Sequence, residues 1–354
     1  LEKDILFYEK WMSRCIQIAT YSEGAHKPNP EVGSVIVYQD KLIGEGWHKK
    51  FGEAHAEVHA IDSVQDKSLL SESTLFVTLE PCFHFGKTPP CLDLILMHKI
   101  PEVVIGCQDP YAKVAGKSIQ KLIAAGVKVK VGVLEKEIHR LNKRFFTNVT
   151  LDRPFILLKY AMSKDGFIAD DKGKVQISTP IMQRIMHNWR GRETGILVGT
   201  ETVLVDNPQL NNRFGRGTQP VRIFLDQKGK ISQEAHVMDG KQLSFWITQS
   251  DENRSGVEKI VLNFQSEYFL EDLLKTLWER KIDSIMVEGG AKTLSGFLEK
   301  NLWDEAYVLR NHNLILNQGK EVAIPHIKYL EGIENYEMEE ILYLKKYAFN
   351  FAQY

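Results

Sequence analysis

The sequence has 354 residues, 43% apolar and 26% charged, which are the proportions of an ordinary folded protein and exclude disorder on a large scale. Usual domain size divides such a length into two. Forty-five Lys and Arg against forty-six Asp and Glu leave a net charge of −1, without the basic excess that binding a nucleic-acid backbone needs, and four cysteines are too few for a disulfide framework.

The opening stretch LEKDILFYEKWMSRC mixes charges with apolar residues at helical spacing, so it reads neither as a secretory leader nor as a membrane span. A cytoplasmic enzyme is the simpler expectation, and because the chain opens with Leu, a few native residues are expected to be missing. Ile5, Leu6, Trp11, Met12, Cys15, Ile16 and Ala19 predict a first amphipathic helix. SVIVY at 34–38 follows as a strand with LIGEG as its hairpin mate. The pattern then alternates: a helix at about 55–65, the strand TLFVTLE, a helix at about 89–98, the strand EVVIGC, a helix at about 117–125 and the strand VKVKVGV. Such alternation predicts βαβ units and a largely parallel sheet, with functional residues beyond strand ends and at helix starts.

One charged helix, LEKEIHRLNKRFFTNV, closes this part, and Asp152-Arg153-Pro154 reads as a joint. The boundary is placed near 150, giving domains 1–150 and 151–354. In the second, FILLKYAM, GILVG, VRIFLD, LSFWIT, KIVLNF and SIMVEGG are predicted strands, with helices near 179–191, 268–280 and 291–300. No internal repeat relates the halves.

His55, Cys82 and Cys91 form a candidate metal set: His55-Ala56-Glu57 opens a helix, and the cysteines flank TLEPCFHFGKTPPC. One imidazole and two thiolates suit zinc and leave its fourth position for water, the mark of a catalytic site. Water on zinc is acidified from a pKa of ~16 to roughly 7. Glu57, two residues from His55, is the candidate general acid–base. The pattern H-x-E with P-C-x-x-C marks zinc base deaminases; here eight residues, not two, separate the cysteines. Taken singly, an HAE tripeptide is a helix start and a buried cysteine is core. Cys15 and Cys107 are read as core, His59 as packing or as support for the ligands, and His139, His187, His236 and His326 as surface residues.

Across its whole length the chain resembles the bifunctional riboflavin-biosynthesis deaminase/reductase family. PNPEVGSVIV, IGEGWH, GEAHAEVHAI, TLEPCFHFGKTPPC and QDPYAKVAGKSI carry the likeness in the first half; LKYAMSKDGFIA, ILVGTETVLVDNPQLNNR, QPVRIFLD and MVEGGAKTLSGFL carry it in the second. The resemblance implies an α/β chain with a three-layer cytidine-deaminase-like domain followed by a dihydrofolate-reductase-like domain. It implies deamination of 2,5-diamino-6-ribosylamino-4(3H)-pyrimidinone 5′-phosphate, then reduction of the ribosyl group to ribityl with NADPH. Its cofactors are thus Zn2+ and NADPH; its partner is a small pyrimidine ribose phosphate, with no nucleic acid and no membrane, and a homo-oligomer is allowed.

By position, Asn29, His48, His84, Lys87 and Asp109 would line the deaminase pocket, beside the zinc set and Glu57. Lys159, Arg190, Leu210, Arg213 and Glu288 would meet the reductase substrate, with Lys159 near the reacting carbon. Ala161, Gln176, Thr202, Asp206 and the run Gly290, Ala291, Lys292, Thr293, Leu294, Ser295 and Gly296 would contact the dinucleotide, since glycines before a helix let backbone N–H groups approach a phosphate. The chain departs from the family at Tyr111, where Asn is frequent, at Gln176, where Trp is common, and at RNHNLILNQG, which replaces an APxxxG segment. Three other readings remain open: a deaminase of another pyrimidine nucleotide with a poorly active or inactive reductase-like domain, a nucleoside or RNA-base deaminase with an unrelated appendage, and a zinc-stapled domain joined to a nucleotide sensor.

Overall fold

The computed structural model describes residues 4–22, 24–83, 90–111, 115–171, 173, 175–215, 217–325, 329–336 and 338–346. His84, Lys87 and His326 lie outside them. The chain divides into two compact units, Leu1–Asp152 and Arg153–Tyr354. Among the described residues no helix is long and apolar enough to cross a membrane.

The first unit runs α1 (Ile5–Ala19), β1 (Gly33–Tyr38), β2 (Lys41–Trp47), α2 (Ala56–Ser63), β3 (Thr74–Leu79), α3 (Cys91–Met97), β4 (Glu102–Cys107), α4 (Lys117–Ala124), β5 (Lys128–Val131), α5 (Glu135–Leu141) and α6 (Lys143–Leu151). Its five strands lie in the order β2-β1-β3-β4-β5. The pairs β3/β4 and β4/β5 are parallel, while β1 is antiparallel to both neighbours. Successive residues of a strand face opposite sides. Ile36, Leu75, Val77, Val103 and Ile105 therefore share one core with Ala60 and Ile61 of α2, Leu92 and Ile95 of α3 and Leu122 of α4. On the other face the ring of Phe76 meets Phe7 of α1, and Gly106 leaves room for Ile138 of α5. The result is three layers, helix on sheet on helix. Cys15 and Cys107 are fully buried in it.

The second unit contains β6 (Phe155–Met162), β7 (Phe167–Ala169), α7 (Pro180–Arg190), β8 (Gly195–Gly199), α8 (Thr200–Asp206), β9 (Val221–Leu225), β10 (Ser244–Thr248), β11 (Glu258–Val261), α9 (Phe269–Glu279), β12 (Ser284–Val287), α10 (Ala291–Glu299), β13 (Glu305–Asn311), β14 (Lys320–Glu321), β15 (Leu330–Asn335) and β16 (Glu339–Lys345). Its nine-stranded sheet has the order β11-β10-β9-β8-β12-β6-β13-β16-β15. It is parallel from β11 to β13, and β16 and β15 extend it antiparallel. Leu273, Leu274 and Leu277 of α9 and Leu294 and Phe297 of α10 pack on Ile156, Leu158 and Tyr160. Opposite, Met182, Met186 and Trp189 of α7 pack on Phe155, Leu157 and Met286.

Three expectations are corrected. The charged stretch after residue 134 is two helices, broken at Asn142, because the buried Asn142 side chain accepts from Glu31 N (2.7 Å) and donates to Glu31 O (2.9 Å). The second unit carries α8 and strands β7 and β13 to β16 that the sequence pattern did not indicate. His187 is not a surface residue but 3% exposed, since α7 turns that face inward, and His139 is half-buried with its ring 4.0 Å from that of Phe146.

Candidate metal centre and cofactor site

His55 occupies the N-cap of α2 with an extended backbone (φ −75°, ψ 167°), which swings its ring off the helix axis. Gly46 of β2 lets α2 approach closely: a Cβ there would stand 2.4 Å from Ala60 N and 2.5 Å from His59 Cβ. His59 is thereby half-buried under β2 in a packing position. Cys82 follows the end of β3, and Cys91 opens α3, so strand end and helix start deliver the two sulfurs together. His55 Nδ1 lies 3.4 Å from Cys82 Sγ and 3.3 Å from Cys91 Sγ, and Cys91 N–H donates to Cys82 Sγ at 3.3 Å. All three ligand atoms fall within 4.8 Å of one another.

Around tetrahedral zinc, with Zn–S near 2.3 Å and Zn–N near 2.0 Å, neighbouring ligand atoms stand about 3.5–3.8 Å apart. The two nitrogen–sulfur separations come within a few tenths of an ångström of that spacing. Hydrogen bonding from Cys91, and then from His55, holds the Cys82 thiol down at about 4, while Cys82 in turn raises His55 to about 9. The arrangement favours the thiolate that a metal needs.

Glu57, in the first turn of α2, is 3% exposed. Burial pushes its carboxyl up to about 7, with the Cys82 charge adding and His55 opposing. A carboxyl that titrates near neutrality beside this trio can take up and return a proton.

Two pocket residues expected from the sequence are joined to the trio. His48 Nδ1 lies 3.2 Å from Ala54 O, a contact that requires the proton on that nitrogen, so Nε2 is the acceptor for the Asn29 amide N–H at 3.0 Å. Burial lowers the His48 pKa, which favours that neutral form. The ring stands edge-on to His55 at 5.7 Å. Asp109, beyond β4, accepts from Tyr111 N at 2.8 Å. Its own N–H donates to Glu80 Oε2 at 3.3 Å, a buried residue at the end of β3 to which the sequence reading gave no role although it stands in the EPC tripeptide.

In the second unit Lys159 of β6 is 7% exposed, and burial lowers its pKa against the opposing charges of Glu288 and Glu339. Arg190 and Glu288, both expected at the sugar phosphate, are turned on each other: Nε to Oε1 at 2.6 Å and Nη2 to Oε2 at 2.7 Å, with Nη1 donating to Asn211 O at 3.2 Å. Arg213 is exposed and held by Gln209 Oε1 (3.0 Å) and Asn211 Oδ1 (2.7 Å). The Leu210 side chain is core, at 2% exposure and φ +46°, so only its backbone can meet a ligand. His187, which the sequence reading left at the surface, accepts from Arg213 N at 3.2 Å. Burial, reinforced by Arg190 and Arg213, brings it down to about 4 and keeps it a neutral acceptor. It lies three residues before Arg190 on one helix face, which is the signal that could have found it.

The cofactor candidates gather where β8 and β12, parallel neighbours, end side by side. A Cβ on Gly289 would stand 2.8 Å from Thr202 Oγ1; one on Gly290 would stand 3.2 Å from the same oxygen; one on Gly199 would stand 2.6 Å from Thr293 Oγ1. Gly290, with φ +68°, is the N-cap of α10. The first-turn N–H groups of Ala291, Lys292 and Thr293 are those a helix leaves without intrahelical partners. Leu294 N already donates to Gly290 O, and its side chain is core. Ser295 lies a turn further in, and Gly296 packs against Leu270 of α9. Ala161 sits in β6 opposite Leu309, and Asp206 is exposed at the end of α8. Gln176 donates to Ser178 O at 2.7 Å, within its own loop.

RNHNLILNQG is an ordered connection. Asn311 donates to Ile177 O at 2.8 Å and accepts from Asn313 and Leu314 N, and Asp165 accepts from Leu316 and Asn317 N. Glu339, unsignalled in the sequence, is 1% exposed and accepts from Thr179 N at the start of α7.

Comparison with known proteins decides the family. The model for the cytidine and deoxycytidylate deaminase zinc-binding region matches residues 7–107, and that for the RibD C-terminal domain matches residues 154–312. The riboflavin biosynthesis protein RibD of Aquifex aeolicus is 35% identical, the match covering 96% of this chain and 98% of that one.

The chain belongs to the RibD family.

RibD of Escherichia coli is 30% identical over 94% of this chain and 95% of its own. Among solved structures, a diaminohydroxyphosphoribosylaminopyrimidine deaminase/5-amino-6-(5-phosphoribosylamino)uracil reductase of Thermotoga maritima is 38% identical, with a TM-score of 0.87 and coverage of 97% and 99%. As a RibD, the chain is a bifunctional enzyme of riboflavin biosynthesis, a zinc-dependent deaminase in its first unit and an NADPH-dependent reductase in its second.

Proposed function

We propose that His55, Cys82 and Cys91 hold the zinc, that Glu57 is the proton carrier, and that the substrate is the 5′-phosphate of 2,5-diamino-6-ribosylamino-4(3H)-pyrimidinone. The observation that carries this is the buried Glu57 two residues from His55, whose Nδ1 stands 3.3–3.4 Å from both sulfurs. Zinc supplies a Lewis acid that brings the pKa of water towards ~7. Glu57 would take one proton from the attacking water and give it to the ring nitrogen. It would then take the proton of the hydroxyl so formed on the ring carbon and give it to the amino group, which leaves as ammonia as the carbonyl forms. Asn29, with its N–H engaged by His48, offers its carbonyl oxygen to the pyrimidine edge, and Asp109 accepts from ribose hydroxyls. His84 and Lys87 would complete the phosphate contacts.

In the second unit the first turn of α10 would receive a dinucleotide phosphate, with Thr202 and Thr293 beside it. Lys159 would face the sugar carbon that accepts hydride, and Arg213, exposed and pre-oriented, the sugar phosphate. Arg190 acts mainly by holding Glu288. A cytoplasmic setting agrees with four cysteines that form no disulfide.

Glu57→Gln tests the reading. It is expected to keep one zinc per chain and to lose about 10²- to 10⁴-fold in ammonia release, the usual worth of general acid–base catalysis, while NADPH oxidation on deaminated substrate is unchanged. Full ammonia release by a zinc-loaded Glu57→Gln enzyme would remove the proton role.

A further inference from the structure

Glu80 is 4% exposed, and both its carboxyl oxygens are occupied. Oε2 accepts from Gly116 N at 2.9 Å and Asp109 N at 3.3 Å; Oε1 accepts from Ser118 N at 3.1 Å and Ser118 Oγ at 2.6 Å. Its own N–H donates to Cys107 O at 3.0 Å. The donors come from two places. Asp109 stands two residues beyond the β4 end, whereas Gly116 and Ser118 form the start of α4, with Gly116 at the N-cap. Two residues further along the chain, past Pro81, stands the metal ligand Cys82.

We propose that Glu80 is a positioning residue of the deaminase: one side chain ties the backbone of Asp109 and the start of α4 to the strand end that presents Cys82, and so fixes where Asp109 meets the substrate relative to the metal. The proposal rests on the reading that Asp109 contacts substrate. A helix start alone would be satisfied by a local Ser, Thr or Asn cap. Here a carboxyl group is buried instead, at a desolvation cost that only full hydrogen bonding offsets. Its two oxygens serve four donors, and no side chain with a single acceptor oxygen can hold both sets. In Glu80→Gln the amide N–H2 faces either the Asp109 and Gly116 pair or the Ser118 pair, and one set lets go.

The test is Glu80→Gln in the full-length zinc enzyme, with ammonia release measured against the diaminopyrimidine ribose phosphate. KM is expected to rise about tenfold or more, the loss of roughly one good polar contact, with kcat much less affected. Zinc content stays at one per chain, which reports that the first unit is folded around its ligands, and NADPH oxidation on deaminated substrate, performed by the other unit, is unchanged. In an Asp109→Ala background Glu80→Gln should add nothing further to KM, because the two changes break one contact. An unchanged KM, an equal rise with and without Asp109, or a fall in kcat accompanied by zinc loss would each overturn the proposal. An Asp109→Ala enzyme with normal KM would instead sink the substrate contact itself, and the proposal with it. Where Glu80→Gln does not accumulate, Ser118→Ala removes one donor only and must raise KM in the same direction; an unchanged KM there overturns it equally.

Discussion

Glu57, Lys159 and His187 are all buried, and burial moves each away from the charge it would carry in water: Glu57 up to about 7, Lys159 down, His187 down to about 4. For His187 this becomes a stability argument with a definite sign. Below about pH 6.5 the unfolded chain takes up a proton that the folded chain refuses until about pH 4, so this histidine's contribution is complete above 6.5 and is lost as pH falls through that window. A shift of this size corresponds to at most about 3–4 kcal/mol. His187→Asn keeps an acceptor for Arg213 N without a titrating group. Urea unfolding of the second unit at pH 7 and at pH 4.5 is expected to show a smaller acid loss in His187→Asn than in the parent, and equal losses would exclude His187 as the source. The reading of this residue as surface failed because a lone histidine in MQRIMHNWR carries no mark of which face α7 buries.

At the scale of elements, legibility followed hydrophobic signal. β1, β3, β4, β6, β8, β9 and β10 are short apolar runs and lie where the sequence placed them. β15, LEGIEN, is a sheet edge with four of its six residues exposed and none buried, so it has no apolar pattern to read. In α8 only Val203 is buried while Leu204 and Val205 face outward, which hides the helical period. The break at Asn142 depends on Glu31, 111 positions away, and no local window contains that information. The chemistry was more legible than its support: His55, Cys82 and Cys91 stand together as their spacing implied, but the hydrogen bonds of Glu80 to Asp109, Gly116 and Ser118 and of Glu339 to Thr179 are tertiary contacts.

The Gly-Gly before α10 illustrates the gain from structure, since a turn and a cofactor cradle look alike in sequence. With φ +68° and the Thr202 hydroxyl 3.2 Å from its missing Cβ, Gly290 tolerates a side chain poorly; such a positive-φ conformation costs an L-residue on the order of 1–3 kcal/mol. Gly290→Ala should therefore raise the KM for NADPH by about tenfold and leave ammonia release untouched. Steady-state kinetics with varied NADPH decides it, and an unaltered KM would place the dinucleotide elsewhere.

At the scale of the molecule, each unit has its own core and its own site. Ile36, Val77, Leu92 and Val103 belong to one cluster, while Ile156, Leu273, Phe297 and Val308 belong to another. The only His, Cys, Asp and Glu cluster fit for a metal among the described residues is His55, Cys82 and Cys91, all in the first unit. Any support that a zinc held by this trio gives would therefore be confined to that unit, where α2, α3 and the end of β3 converge. Removing the metal with 1,10-phenanthroline should abolish ammonia release, since the Lewis acid goes with it, yet NADPH oxidation on deaminated substrate should persist at its original rate. Added zinc should restore the first activity without changing the second. If NADPH oxidation instead fell in step with zinc content, the second unit would depend on the metal too, and the independence argued from the separate cores would be wrong.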